Sequence, residues 1–324
     1  MEVLITGITG RIGSNLAVLL LEQGHSVRGL VWPNDRRIEK LGGLDLDLRE
    51  GSLTDWEDVR AVVDGVDAIY HLGAAFQGGG PFADTDYFEI NVKGTFHMLK
   101  AASEQHHLQH FLFASTDAIY AKYPPLGMVE PIDQDTVLRR PKGWYSMSKA
   151  VGEELCNGYW HTRQLPVSIL RFCLVVGAGE ILDFPQFYMS HLRGRSGFEE
   201  LPASDQRLVV LTDANGRVYK KHIADVRDIV HGCAAALGKS AAFGEAFQLA
   251  GPRPFTWDEA VPHLSKCLGI PYEAISVPGP PTFYEYELGK PRSKFGFRPQ
   301  YDIIRMIDDA VAFREGGDIT VLPT

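Results

Sequence analysis

Residues 1–20 read MEVLITGITGRIGSNLAVLL, and the reading of this stretch decides the fold. Val3, Leu4 and Ile5 make a short apolar strand. Gly7, Gly10 and Gly13 then punctuate a turn, and Leu16, Leu19 and Leu20 begin a helical apolar pattern. Three demands call for glycine in such a turn: it is tight, a pyrophosphate must approach its backbone, and the helix must pack closely on the strand. The free amides at the helix N-terminus then favour an anion. A glycine-rich turn by itself is an ordinary connection. Set between a strand and a helix, it has the context that dinucleotide binding requires, with Arg11 and Ile12 inside it as cofactor neighbours.

Working outward, residues 26–31 form a second strand and complete a βαβ unit. An acidic residue at its end usually holds the adenosine ribose of NAD, but that slot falls near Val31 and Trp32. Arg11, Arg36 and Arg37 suit a 2'-phosphate instead, so the cofactor is NAD or NADP with a lean to NADP; the alternative is a solvated arginine face. Residues 44–48 alternate as a third strand, after which Ser52 is expected near the adenine with Leu53 beside it. Residues 68–72 form a fourth strand whose end, Leu72, Gly73 and Ala74, is small enough for a cofactor to pass over. His71 reads as a structural histidine. Gly78, Gly79 and Gly80 with Pro81 read as a loop over a pocket or as a plain surface connection.

A long helix is expected over 84–105, interrupted only at Gly94. A fifth strand over 110–114 ends in Ser115, Thr116 and Asp117, a helix follows over 144–160, and a sixth strand over 167–173. Strands alternating with helices imply a parallel sheet covered on both faces. The fold class is therefore α/β, a doubly wound parallel Rossmann sheet over 1–174. Residues 175–324 are expected mainly to hold substrate as a smaller capping portion, with strands near 218–223 and 246–249 able to return to the core and helices over 257–267 and 303–313.

Bulk properties narrow the function. At 324 residues, 45% hydrophobic and 23% charged, the chain buries a sizeable core. A net charge of -9 argues against nucleic-acid or anionic-membrane partners, and no apolar run is long enough to span a bilayer. No leader pattern follows Met1, and Cys156, Cys173, Cys233 and Cys267 form no CxxC pair. Both features point to a cytoplasmic protein with reduced thiols and no metal site.

The chemistry centres on Tyr145, Ser146, Met147, Ser148 and Lys149. On a helix, Tyr145 and Lys149 share a face one turn apart. A phenol's ordinary pKa of roughly 10 is too high for a base at neutral pH, and a neighbouring ammonium lowers it. The pair can then exchange a proton with a substrate hydroxyl, which Thr116 and Ser115 would orient.

TGITGRIG at 6–13, YHLGAA at 70–75, NVKGT at 91–95, FLFASTDAIY at 111–120, YSMSK at 145–149, LRFCLVVGAG at 170–179, HIADVRD at 222–228 and KFGFRP at 294–299 together resemble the extended short-chain dehydrogenases/reductases, the group of sugar-nucleotide epimerases and dehydratases. The resemblance implies that Tyr145 is the acid/base, that Lys149 holds the nicotinamide ribose and tunes the phenol, and that Thr116 bonds the reacting oxygen. It implies that Asn91 buttresses the sheet, and that the helices carrying Asn91 and Tyr145 pair two copies into a homodimer. Three positions depart from the pattern. Ala118 replaces the dehydratase glutamate, Leu174 replaces the epimerase asparagine, and residues 218–221 lack the arginine that anchors a nucleotide diphosphate. Arg217, Lys220 or Lys221 either replaces that arginine or lies on a solvated strand. The expected function is an NAD(P)-dependent oxidoreductase or epimerase acting on a sugar, sugar nucleotide or sugar derivative. The alternative is a non-catalytic NAD(P)-sensing protein on the same fold.

Overall fold

The computed structural model describes residues 1–76, 82–194 and 197–324. Its centre is a seven-stranded sheet in the order β11-β6-β5-β4-β1-β2-β3, with every pairing parallel. The strands are β1 (Glu2–Thr6), β2 (Ser26–Val31), β3 (Leu46–Glu50), β4 (Ala68–His71), β5 (His110–Thr116), β6 (Val167–Phe172) and β11 (Glu245–Leu249). Strand periodicity separates the two cores. Val3, Ile5, Tyr70 and Leu112 face one side with Leu16 and Leu20, whereas Leu4, Ile69, Phe111 and Phe113 face the other with Val59 and Met98. Helices α1 (Arg11–Glu22), α2 (Trp56–Val63), α3 (Gly94–Ser103) and α4 (Gly143–Arg163) cover these faces, joined on the first side by α5 (Val226–Ala236). The order reverses between β1 and β4, the place where open α/β sheets bind ligands.

The helix expected over 84–105 is not continuous. Residues Tyr87–Lys93 form a π-helical turn leading into α3. The wider turn points Asn91 inward, where its side chain bonds both the N–H and the C=O of Ala75 and the Ser148 hydroxyl. Asn91 thus ties the end of β4 to α4, the buttress expected of it.

Beyond residue 174 the chain contributes to both parts. The strand near 246–249 is β11, an edge of the main sheet. The strand near 218–223 is divided at His222: β9 (Lys220–Lys221) pairs with β12 (Phe255–Thr256), and β10 (Ile223–Asp225) pairs with β7 (Leu174–Val176). At the break the two ring nitrogens of His222 bond Gly251 O and Tyr286 N. A second core gathers Phe187, Leu208, Trp257, Leu264 and Ile307 around α6 (Trp257–Leu268), α8 (Ile303–Arg314) and the parallel pair β8 (Leu208–Thr212) and β13 (Tyr272–Ser276). A seventh helix, α7 (Gly289–Phe295), lies between them in sequence. Among the described residues, no helix is long and apolar enough to cross a membrane.

Candidate active site

The glycine turn builds the first part of a cleft at the reversal point. Gly7 has φ +71°, and a Cβ placed on it lies 2.8 Å from Gly73 N. A Cβ on Gly13 lies 2.3 Å from Gly7 O. Backbone therefore approaches backbone closely at both positions, leaving the first amides of α1 facing the cleft as a cradle for phosphate. Thr6 Oγ1 accepts from Gly73 N and bonds His71 Nδ1, while His71 Nε2 meets Thr95 Oγ1, which itself donates to Asn91 O. Thr95 has spent its proton on Asn91, so Nε2–H is the donor to Thr95 and Nδ1 accepts from Thr6. Burial pulls His71 down to about 3, which keeps it neutral. It is a structural histidine, as expected.

Gly10, Ile12, Leu53, Leu72 and Ala74 line the same cleft. Ser52 does not: its hydroxyl turns to Thr54 Oγ1, and Thr54 takes the lining position. Of the three arginines behind the lean to NADP, two are engaged, while Arg36 lines the cleft with no ion pair among the described residues. Arg11 donates to Val175 O and pairs with Glu180, and Arg37 pairs with Asp35. An acidic residue, Asp35, does stand four residues past the end of β2. Trp32, Pro33 and Asn34 form a turn with Asn34 at φ +62°, and Asp35 N bonds Trp32 O. The reversal brings the Asp35 carboxylate to Thr9 Oγ1 at 2.6 Å and onto the wall of the cleft. Hydrogen bonds from Arg37 and Thr9 hold it near 2, against the opposing effect of burial. An anionic carboxylate here disfavours a 2'-phosphate, and the lean to NADP finds no support. A turn four residues past the strand, rather than the strand end itself, was the missed signal.

At the far end, Thr116 terminates β5 and Tyr145 begins the second residue pair of α4; both line the cleft. Burial pushes the Tyr145 phenol above its ordinary value, and a hydrogen bond with the Thr116 side chain opposes that rise. Phe76 stands edge-on to the Tyr145 ring, centroids 5.2 Å apart. Lys149 is buried, its Nζ 4.3 Å from the Phe113 ring centroid, and desolvation lowers it to about 8. The groups acting on the phenol in this geometry are Thr116 and Asp117 rather than Lys149. Ser115 departs from its expected role. Its hydroxyl donates to Glu153 Oε1 at 2.5 Å, and Glu153 holds Arg171 through two further bonds of 2.9 and 2.8 Å. Ser115 and Thr116 both line the cleft, but the Ser115 hydroxyl is engaged by Glu153.

The remaining wall combines Asp117, Lys122, Cys173, Leu174, Gln186 and Lys221. Asp117 receives bonds from Lys122 Nζ and Tyr286 OH. Of the three candidate anchors, Arg217 pairs with Asp213 and Lys220 with Glu285, whereas Lys221 is buried on the cleft wall. The loop containing Gly78, Gly79, Gly80 and Pro81 lies outside the described residues. The cleft has a volume of about 1810 Å³. Sites for one drug-sized ligand span roughly 300–1,000 Å³, so a dinucleotide and a second molecule fit together. The His263, Cys267 and Asp308 group, whose side chains are close enough to hold a metal, is not part of the cleft lining.

Residues 3–250 match the model of the NAD dependent epimerase/dehydratase family. The chain is similar to an uncharacterized UDP-glucose epimerase of Bacillus subtilis, with 28% identity over 78% of this chain and 77% of that one. It is also similar to UDP-glucuronate 4-epimerase 1 of Arabidopsis thaliana, with 24% identity over 94% of this chain and 74% of the relative. Among solved structures, a short-chain dehydrogenase/reductase superfamily protein from Agrobacterium tumefaciens with bound NAD superposes with a TM-score of 0.84. It has 29% identity and covers 98% of both chains.

Proposed function

We propose, from the premise that the chain belongs to the NAD dependent epimerase/dehydratase family, that it is an NAD-dependent oxidoreductase or epimerase for sugars or sugar-derived substrates. It is an enzyme of the extended short-chain dehydrogenase/reductase type. The backbone cradle at Gly7, Gly13 and Gly73, which a Cβ would fill, fits a dinucleotide; Asp35 and Thr9 would hold its adenosine end and Lys149 its nicotinamide ribose. Bound NAD would accept or return hydride at nicotinamide C4.

One observation carries this reading: Thr116 and Tyr145 both line the cleft that begins at the glycine cradle, with the Thr116 side chain acting on the phenol. Tyr145 exchanges a proton with the substrate hydroxyl, and Thr116 holds that oxygen in line. The buried phenol keeps its proton until a cation approaches. Lys149, one turn further along α4, supplies that cation when its side chain swings from the Phe113 ring toward Tyr145. Ala118 offers no carboxylate for water elimination, which argues against dehydration. The engagement of Arg217 and Lys220 within the protein favours a dehydrogenase or reductase on a free polar substrate over an epimerase holding a nucleotide diphosphate. Residues 175–324 mainly hold that substrate. Exposed Phe88, Phe96, Met147 and Val151 on the helices of Asn91 and Tyr145 support a homodimer through that face.

The test is turnover by the purified protein with sugars and sugar acids, followed by the absorbance of reduced nicotinamide, with retained cofactor measured to separate an epimerase from a dehydrogenase. Tyr145→Phe is expected to lower turnover by about 100-fold or more while NAD still binds. Turnover that survives this substitution overturns the assignment.

A further inference from the structure

Lys221 is 7% exposed, the second residue of β9, and part of the cleft wall. Its Nζ lies 2.8 Å from Gln186 Oε1 and 4.9 Å from the centroid of the Phe184 ring. Among the described residues it forms no ion pair. The charged groups acting on it are Lys122 and Asp117, and Asp117 is already engaged by Lys122 and by the Tyr286 hydroxyl. This wall therefore holds two ammoniums against one carboxylate. Burying a charge without a partner is costly. Arg11 pairs with Glu180, Arg37 with Asp35, Lys220 with Glu285 and Arg217 with Asp213, whereas Lys221, like Lys149 over the Phe113 ring, is buried on the cleft wall without an ion pair among the described residues.

We propose that the substrate carries a carboxylate, that the Lys221 ammonium receives it beside Gln186, and that Tyr145 and Thr116 face a carbinol carbon of the same molecule. This rests on the oxidoreductase or epimerase reading and names its substrate class as hydroxy acids of the sugar-acid type. A single unpaired ammonium matches one negative charge. A diphosphate spreads two charges over several oxygens and suits forked guanidinium donors, and Arg11, Arg37 and Arg217 are already paired within the protein. Desolvation pulls Lys221 down to about 7, as expected of a cation whose counter-ion arrives with the ligand. Lys221, Asp117, Lys122, Thr116 and Tyr145 line one cleft, so the anion and the reacting carbon can belong to one small molecule.

The experiment is calorimetric titration of the NAD-loaded protein with D-glucuronate, D-galacturonate and D-gluconate, each against its neutral counterpart (glucose, galactose or glucitol), and with UDP-glucose as the phosphate source. At least one acid is expected to bind tenfold or more tightly than its neutral partner. Lys221→Gln is expected to erase that preference without changing NAD affinity, and Lys221→Arg to restore part of it. Thermal melts check that both variants fold. The proposal is overturned if no acid is preferred, if Lys221→Gln keeps the preference, or if that variant weakens UDP-glucose alone. The parent reading fails separately, through absent NAD binding or a Tyr145→Phe enzyme that still turns over.

Discussion

Replacing Gly13 by alanine tests whether the first turn is shaped by contact or by backbone torsion. The added methyl lies 2.3 Å from Gly7 O, 2.9 Å from Gly7 C and 2.7 Å from Ile8 Cα. All three are backbone atoms, so no side chain can rotate away. Relief requires α1 to move off β1 by about an ångström, an overpacking that costs about 1–3 kcal/mol of stability. The amides of the first turn move with the helix. Weakening one or two charge-assisted hydrogen bonds, each contributing about 1.5–3 kcal/mol, lowers NAD affinity by roughly 10- to 100-fold. Gly24→Ala is the control: Gly24 has φ +80° with nothing within 4 Å, so it feels torsion alone, about 1–2 kcal/mol. Urea unfolding and fluorescence titration with NAD measure both variants. If Gly13→Ala binds NAD like the parent, or Gly24→Ala weakens it equally, the cradle does not depend on close approach.

Glu153→Gln leaves Arg171 buried with its charge unmatched and should cost about 3–5 kcal/mol in urea unfolding; a loss below 1 kcal/mol would show that Tyr120 and Gln134 O, its other partners, suffice. Stability should also fall as pH drops below 6.5. His71, His110 and His222 are buried, with pKa values lowered to about 3, 3 and 4, so their neutral forms stabilise the fold above the unfolded value and that contribution is lost on acidification. Each contributes up to about 1.4 kcal/mol per pH unit over that window, readable as a falling urea midpoint between pH 7 and 5; a flat profile would show that these rings protonate without penalty.

The central sheet was legible because its strands are short apolar runs bounded by glycine and small polar residues, and residues such as Val3–Ile5 are buried on both faces. The first helix, the Tyr145 helix and the helices near 257 and 303 lie where their apolar spacing places them. What the sequence concealed depends on tertiary contact. The π-helical turn at Asn91 exists because that amide reaches Ala75 and Ser148, partners 16 and 57 residues away. Asp35 acquires meaning only after the Pro33–Asn34 reversal returns it to Thr9. Ser115 and Thr116 are equivalent as letters, and only the fold shows that the Ser115 hydroxyl is committed to Glu153. Helix α5 escaped notice although Asp225 caps it by accepting from Arg227 N, because the glycine and β-branched residues in VRDIVHGCAAA weaken its propensity.

The parallel pairing of β7 with β10 places the departure and the return of the segment over 177–222 side by side, at Leu174–Val176 and Ile223–Asp225. Such an excursion resembles a drawer held on two adjacent rails more than a door on one hinge. Engineers wishing to exchange this segment would need two junctions, one on each rail. Cutting the chain after β7 instead would strip the sheet of β11 and the outer face of α1 of its cover from α5.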